Sequence, residues 1–230
     1  MTDDDSVTAA VEAIEARHGP VDVLVNNAGV AFTGPVETID LDRARTLVET
    51  NLWGPVRTMR AVLPAMRKRG SGVIVNVTST AARVPGSAYN GFYGASKQAL
   101  AALTEAMVME LEPFGVRLAL VEPGTYATDV FDNGGWGEVD DDDPYAADQA
   151  WMTAYYLHHG GVPPGDPADV AARIVEIADD PAAPLHHLVG ADAELYVDLV
   201  GGTPSLEAWF ELSARLAEDS VGPRPKPSAG

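Results

Sequence analysis

The sequence contains no cysteine among its 230 residues. This absence excludes disulfide bonds, thiolate metal ligands and a cysteine nucleophile. Long apolar runs are also missing, because no stretch approaches the roughly 18 uninterrupted apolar residues that a membrane-spanning helix requires. The first residues are acidic and carry neither the basic start nor the apolar stretch of a signal peptide. The sequence alone therefore predicts a soluble, cytoplasmic protein that does not enter a membrane.

Basic residues are scarce as well. The chain has 15 Lys and Arg residues against 34 Asp and Glu residues, which gives a formal net charge of −19 at pH 7. Nucleic-acid binding requires clustered cations that neutralise phosphates, so we expect no nucleic-acid partner. The excess acid is typical of a solvated surface without a specific role, and a high-GC genome or a salt-adapted proteome would each produce it.

A third absence concerns the 22 glycines. They form neither G-x-G-x-x-G nor G-x-x-x-G-x-G, the patterns whose loops hold the pyrophosphate of a dinucleotide. The sequence therefore predicts no phosphate-binding loop of this kind within the chain.

Short apolar runs alternate with helical patterns along the chain, which predicts an α/β fold with a parallel sheet covered on both faces. The predicted strands are Val21 to Val25, Gly72 to Val77, Val116 to Val121 and Leu185 to Val189. The predicted helices run from Asp5 or Ser6 to Gly19, from Asp40 to about Arg69 with an interruption, from about Asn90 to Glu112, from Pro167 to Ala178 and from Pro204 to Ala217. Ser6 is the expected cap of the first helix.

Residues 1–221 are predicted to form one domain, since no linker or repeat divides them. Within it, residues 125–165 break the alternation with glycines, prolines, an acidic run and many aromatic side chains. Such a long segment is typically either a functional lid or disordered. We favour a lid that covers a substrate site. Residues 222–230 are predicted to be a disordered tail.

Tyr93 and Lys97 lie four residues apart at the start of a predicted helix, so their side chains share one face. A phenol has a pKa of about 10 and is a poor base near neutral pH. An adjacent ammonium favours the phenolate and lowers that pKa. Tyr93 is therefore a candidate acid/base that exchanges a proton with an alcohol or ketone oxygen. The alternative is a partly buried tyrosine beside a lysine that extends to solvent.

Ser79 follows the apolar run Val73 to Val77, at the carboxyl end of a predicted parallel strand. Open α/β sheets bind ligands at such ends. The hydroxyl is placed to donate to a substrate oxygen as negative charge develops there. A serine in this position can also simply form a turn.

Asn51 precedes Pro55 by four residues in the long predicted helix. Proline has no N–H, so the backbone carbonyl of Asn51 has no helical partner and can bind water. The alternative is a simple helix kink without a functional role.

These residues belong to a longer ordered series. It comprises Asn26-Asn27-Ala28-Gly29, Asn51-Leu52-Trp53-Gly54, Val75-Asn76-Val77-Thr78-Ser79, Tyr93-Gly94-Ala95-Ser96-Lys97 and Pro123-Gly124 with Thr128. In this order and spacing the chain resembles the short-chain dehydrogenase/reductase family, from about residue 5 to residue 128. The resemblance implies a Rossmann-like doubly wound parallel sheet, here N-terminally truncated so that the first strands are missing. It also implies NAD or NADP as the cofactor.

The resemblance assigns a role to each motif residue. Tyr93 would be the acid/base, Lys97 would tune its pKa and hold the nicotinamide ribose, and Ser79 would bind the substrate oxygen. The carbonyl of Asn51 would hold a water that is chained to Lys97. Besides Tyr93 and Lys97, the expected cofactor contacts are Asn27, Ala28, Gly29, Pro123, Gly124 and Thr128. No metal site is expected.

The predicted function is the interconversion of a secondary alcohol and a ketone on an apolar small molecule, by a homodimer or homotetramer. Two interpretations of the missing phosphate loop stay open: Met1 is an internal methionine of a longer enzyme, or the chain is a genuine truncation. In the second case the protein would be a catalytically silent binding or assembly partner. We favour the enzyme, because a silent partner has no obvious reason to keep Asn51, Ser79, Tyr93 and Lys97 together.

Overall fold

A computed structural model describes residues 1–128, 143–158 and 161–226 of the chain. Four parallel strands form one sheet in the order β1-β2-β3-β4. The strands are β1 Val23–Asn26, β2 Gly72–Val77, β3 Val116–Pro123 and β4 His186–Val189. Parallel neighbours require a crossover connection, and helices supply it here. The predicted α/β class is therefore confirmed.

The helices surround this sheet. They are α1 Asp4–His18, α2 Leu41–Val48, α3 Gly54–Arg69, α4 Gly91–Leu111, α5 Ala146–His158, α6 Pro167–Asp179, α7 Ala191–Gly202 and α8 Leu206–Val221. The sequence missed two of them, because α5 lies inside the predicted lid and α7 directly follows β4. The cap of α1 is also corrected: the carboxylate of Asp3 accepts from the N–H of Ser6 at 2.6 Å.

The predicted interruption between residues 40 and 69 is a π-helical turn at Glu49–Trp53. The N–H of Gly54 donates to the carbonyl of Glu49, five residues back. Pro55 follows at the start of α3 and supplies no N–H to the ladder. A π turn is one way in which a helix accommodates such a loss. Pro64 lies inside α3 without ending it.

Both faces of the sheet carry core clusters, because successive strand residues point to opposite sides. On one face the strands pack against α3 and α4, through Met59, Val62, Met66, Ile74, Leu100 and Leu118. On the other face they pack against α6, through Val73, Val75, Ala119, Val121 and Ile177. β1 is an edge of the described sheet, and its Val23 and Val25 are 38% and 39% exposed.

A buried polar network crosses the first core. Asn26 and Asn76 are partners in the β1–β2 register, and Nδ2 of Asn26 donates to Oδ1 of Asn76 at 2.8 Å. The hydroxyl of Thr58 donates to Oδ1 of Asn26 at 2.6 Å, and Nδ2 of Asn76 donates to Oγ1 of Thr104 at 2.8 Å. Hydrogen-bonded polar groups of this kind specify one packing arrangement. The network fixes α3 and α4 against the strands just before the loop that follows β1.

Residues at the start of the predicted tail contact α5, and the disorder expected from residue 222 stays a prediction. The indole N–H of Trp151 donates to the carbonyl of Gly222 at 2.9 Å, and Arg224 forms an ion pair with Asp148. Residues 227–230 of the tail and residues 129–142 of the predicted lid lie outside the described residues. Among the helices that are described, none has the length and apolar character to cross a membrane.

Candidate active site

The predicted site residues lie at one edge of the sheet. Asn27 to Gly29 follow β1, Ser79 follows β2, and Gly124 follows β3. The carboxyl ends of parallel strands meet at the same edge, where open α/β sheets bind ligands. Tyr93 and Lys97 reach this edge from the start of α4.

Tyr93 and Lys97 share one face of α4, as their spacing predicts. Nζ of Lys97 lies 5.8 Å from the centroid of the Tyr93 ring and donates to the carbonyl of Val77 at 2.9 Å. The lysine is only 5% exposed. Burial lowers the pKa of Lys97 to about 8, because desolvation disfavours the ammonium. The side chain is therefore mainly charged at pH 7.

The phenol of Tyr93 lies near Ser79, at the edge where β2 ends. Burial raises the pKa of Tyr93, and the nearby Ser79 hydroxyl offsets part of this rise. Desolvation of the phenolate is the largest influence on this pKa, and the lowering expected from the neighbouring lysine stays a prediction. At neutral pH Tyr93 holds its proton and is poised as a hydrogen-bond donor and an acid.

Ser79 forms a turn, which is one of the two roles that its sequence position allowed, and its role as a donor to substrate stays a prediction. It caps the short helical turn Thr80–Ala82, where its Oγ accepts from the N–H of Ala81 at 3.1 Å. A hydroxyl can accept one bond and still donate its own proton. The turn therefore positions the hydroxyl without preventing its contact with Tyr93 or with a substrate oxygen.

The side chain of Asn51 binds the main chain of Val30. Its Oδ1 accepts from the N–H of Val30 at 2.9 Å, and its Nδ2 donates to the carbonyl of Val30 at 2.8 Å. The same Nδ2 donates to Oγ of Ser96 at 3.2 Å, and Ser96 donates to the carbonyl of Tyr93 at 2.7 Å. Asn51 is 1% exposed. It therefore links the loop after β1 to the first turn of α4, and the water relay through its carbonyl stays a prediction.

Gly29 lies against two of these side chains. A Cβ built on Gly29 would lie 3.2 Å from Oδ1 of Asn51 and 3.4 Å from Nζ of Lys97. Contacts this short leave little room for any side chain, so the main chain passes close to the catalytic groups. Asn27 and Ala28 precede it on the same loop and are exposed.

Asp192 supports the segment after β3, and sequence reasoning missed it. Its buried carboxylate, 7% exposed as a residue, accepts from the N–H of Thr125 at 2.6 Å. From the other side the hydroxyl of Thr80 donates to the carbonyl of Pro123 at 2.9 Å. A Cβ built on Gly124 would fall 2.0 Å from Oδ1 of Asp192. The sequence shows only an aspartate shortly after the last predicted strand. No spacing rule links such an aspartate to the segment that follows β3.

Thr128, the remaining predicted cofactor contact, is exposed at the end of this segment. Its neighbours from residue 129 lie outside the described residues. Across the described ranges, no group of three or more His, Cys, Asp or Glu side chains is placed to hold a metal ion.

A cavity of about 480 Å³ lies beside Tyr89, four residues before Tyr93 in the chain, and Tyr93 itself does not line it. It is lined by residues 35–37, by Ala88 and Tyr89, and by Tyr145 and Arg224. Its walls are largely aliphatic and aromatic, as in most small-molecule sites.

Comparison with known proteins identifies the class of the chain. Residues 1–135 match the family model for short chain dehydrogenases, which is more than half of the 230 residues. The chain therefore belongs to the short-chain dehydrogenase family, and the resemblance seen in the sequence is confirmed.

Individual relatives share both sequence and fold. The chain is 35% identical over 185 residues to the uncharacterized oxidoreductase YusZ of Bacillus subtilis, which covers 77% of this chain and 64% of that protein. A short-chain dehydrogenase from Streptomyces avermitilis is 36% identical, with a TM-score of 0.77 over 92% of this chain and 77% of that one. A metagenomic short-chain oxidoreductase solved in complex with NADP is 29% identical, with a TM-score of 0.60 over 82% of this chain and 70% of its own. The chain thus spans slightly less than two thirds of the length of YusZ.

Proposed function

We propose that this protein is an NAD(P)-dependent oxidoreductase that interconverts a secondary alcohol and a ketone on an apolar small molecule. The observation that carries the proposal is the buried ammonium of Lys97, 5.8 Å from the centroid of the Tyr93 ring, at the edge of the sheet where Ser79 follows β2. The NADP complex of the metagenomic relative supports the choice of cofactor.

Residues of this chain fit the nicotinamide end of such a cofactor. The absence of a side chain at Gly29 lets the loop after β1 pass close to Lys97, whose ammonium would hold the ribose. Thr128 would bond the carboxamide, Pro123 and Gly124 would contact the cofactor where β3 ends, and Asn27 and Ala28 would border the adenosine. When bound, the nicotinamide supplies or accepts a hydride. The 22 glycines form no phosphate-binding triplet, so the pyrophosphate would need other partners.

The proton is handled by Tyr93. In the reductive direction its O–H bond breaks, and the proton moves to the substrate oxygen while the carbonyl carbon accepts the hydride. In the oxidative direction the phenolate takes the alcohol proton while the carbinol carbon loses a hydride. Ser79 donates to the same oxygen as charge develops on it. The ammonium of Lys97 stabilises the phenolate, and Asn51 would return the proton through water.

The cavity that Tyr89 lines supports an apolar substrate of moderate size. Its volume is about 480 Å³, and Pro35, Val36 and Ala88 contribute aliphatic walls. A pocket of this volume accommodates a compact ring or a short branched chain.

Turnover by matched variants tests the proposal. The 230-residue protein is assayed with NADPH and with NADH on a series of cyclic and linear ketones. Tyr93→Phe should lower kcat by about 100-fold or more, because it removes the proton donor. Tyr155→Phe is the control, since that hydroxyl contacts Tyr196 on α7 and not the site. Undiminished turnover by Tyr93→Phe would refute the acid/base role.

The absence of a glycine triplet favours one second candidate, a catalytically silent partner protein. Titration with NADH and NADPH separates the two. Saturable binding supports the oxidoreductase, whereas no binding by folded protein at millimolar cofactor supports the silent partner. Light scattering on the same samples tests the predicted homodimer or homotetramer.

A further inference from the structure

Arg224 follows the last helix in the chain and yet contacts α5. Its Nε and Nη2 donate to Oδ1 and Oδ2 of Asp148, each at 2.6 Å. The Asp148 side chain is only 19% exposed. An arginine that binds both oxygens of a carboxylate fixes its orientation as well as its position.

Asp148 in turn holds Tyr89, whose hydroxyl donates to Oδ2. Tyr89 has a φ of 61° and is the one non-glycine residue in the described ranges with a positive φ. This conformation is unusual for an aromatic residue and persists only where the surroundings hold it. The N–H of Gly34 donates to the carbonyl of Tyr89 at 2.7 Å. The residue is therefore held at its main chain and at the end of its side chain.

Tyr89 forms part of the cavity wall and lies four residues before Tyr93. Two further contacts fix the same wall to α5 and the residue before it. The hydroxyl of Tyr156 donates to the carbonyl of Ala88 at 2.8 Å. The ring of Tyr145 meets that of Tyr89 edge-on, with centroids 6.5 Å apart and planes at 72°. The shape of this wall therefore depends on how α5 is seated.

We propose that Arg224 is a positioning residue for the substrate cavity. Through Asp148 it holds Tyr89 in the left-handed conformation, and it thereby sets the wall of this cavity. A second anchor lies nearby, because the indole of Trp151 binds the carbonyl of Gly222 and its ring lies 5.8 Å from the guanidinium. The residues after α8 thus act as part of the cavity. Only the statement that this cavity receives substrate rests on the proposed function.

Hydrogen exchange tests the proposal without any turnover. Arg224→Ala should speed exchange of the amides at residues 87–92 and in α5 about tenfold, because a charge-assisted contact is lost. Arg224→Lys should restore part of the protection, since an ammonium can make one of the two bonds. The matched control is Arg215→Ala, which removes the same charge from α8, where Arg215 binds its own helix at Glu211. That variant should leave residues 87–92 unchanged.

Tyr89→Phe separates positioning from a general loss of stability. In that background the hydroxyl held by Asp148 is gone, so Arg224→Ala should no longer affect residues 87–92. An equal effect of Arg224→Ala in both backgrounds would overturn the proposal, and so would faster exchange spread evenly over β2 and β3. If the enzyme turns over, Arg224→Ala should raise KM severalfold and leave kcat within about twofold. Turnover that is absent from every variant would contradict the proposed function alone, because the exchange result would still stand.

Discussion

Lys97 should destabilise the fold at neutral pH, so that Lys97→Met gives a more stable protein. Burial lowers the pKa of this lysine from 10.5 to about 8. At about 1.4 kcal/mol per pKa unit, the charged form is disfavoured in the folded protein by about 3 kcal/mol. Met has a similar length and no charge. The lost hydrogen bond to Val77 offsets about 1–2 kcal/mol, which leaves an expected net gain of about 1–2 kcal/mol at pH 7.

The gain should shrink as the pH rises. Below pH 8 the lysine is protonated in both the folded and the unfolded chain, so the full penalty is present. Between pH 8 and 10.5 the unfolded chain keeps a proton that the folded chain has lost, so wild-type stability rises with pH. The variant has no titrating group at this position. The stability difference should therefore move by about 2 kcal/mol in favour of the wild type between pH 7 and pH 9.5.

Urea denaturation of both proteins at several pH values measures this difference. Lys68→Met is the matched control, because Lys68 is exposed on α3 and its removal should give a small difference that does not change with pH. The reasoning fails if Lys97→Met is less stable than the wild type at pH 7. It also fails if the difference between the two proteins is the same at pH 7 and at pH 9.5.

Two further changes test the support of the site. Gly124→Ala would place its Cβ 2.0 Å from Oδ1 of Asp192, so we expect a loss of about 2–4 kcal/mol in thermal unfolding. Gly201→Ala is the control, because a Cβ built on Gly201 has no heavy atom within 4 Å, and this variant should lose no stability. Equal losses of stability for Gly124→Ala and Gly201→Ala would refute the steric argument. Asn76→Leu removes the partner of buried Asn26 and should cost about 2–4 kcal/mol. In the Asn76→Leu background, Asn26→Leu should lower the free energy of unfolding by less than it does in the wild type. If the losses of the two single variants add up to that of the double variant, the two residues do not share a network.

The sequence was sufficient for those parts of the site that follow local rules. Helical spacing placed Tyr93 and Lys97 on one face, and an apolar run placed Ser79 at the end of a strand. The missing N–H of Pro55 indicated an irregular helix near Asn51, where the structure has a π turn. Each of these inferences uses residues close together in the chain, where backbone geometry decides the outcome.

Long-range contacts could not be predicted in this way. The bonds from Asn51 to Val30, from Asp192 to Thr125 and from Arg224 to Asp148 depend on packing that no spacing encodes. The burial that raises the pKa of Tyr93 also depends on enclosure by distant residues. Helix α7 was missed because the residues Leu195 to Val200 also fit a strand, and a glycine pair follows them.

The proposed catalytic site contains features that are individually unfavourable. The buried ammonium of Lys97 and the left-handed conformation of Tyr89 each lower stability. Other contacts compensate, since Asn51 binds both polar groups of Val30 and Asp192 binds Thr125. These bonds hold the loops at the strand ends in place. Donors that are fixed in advance need little reorganisation when charge develops on a substrate oxygen, and that is the property an acid such as Tyr93 requires.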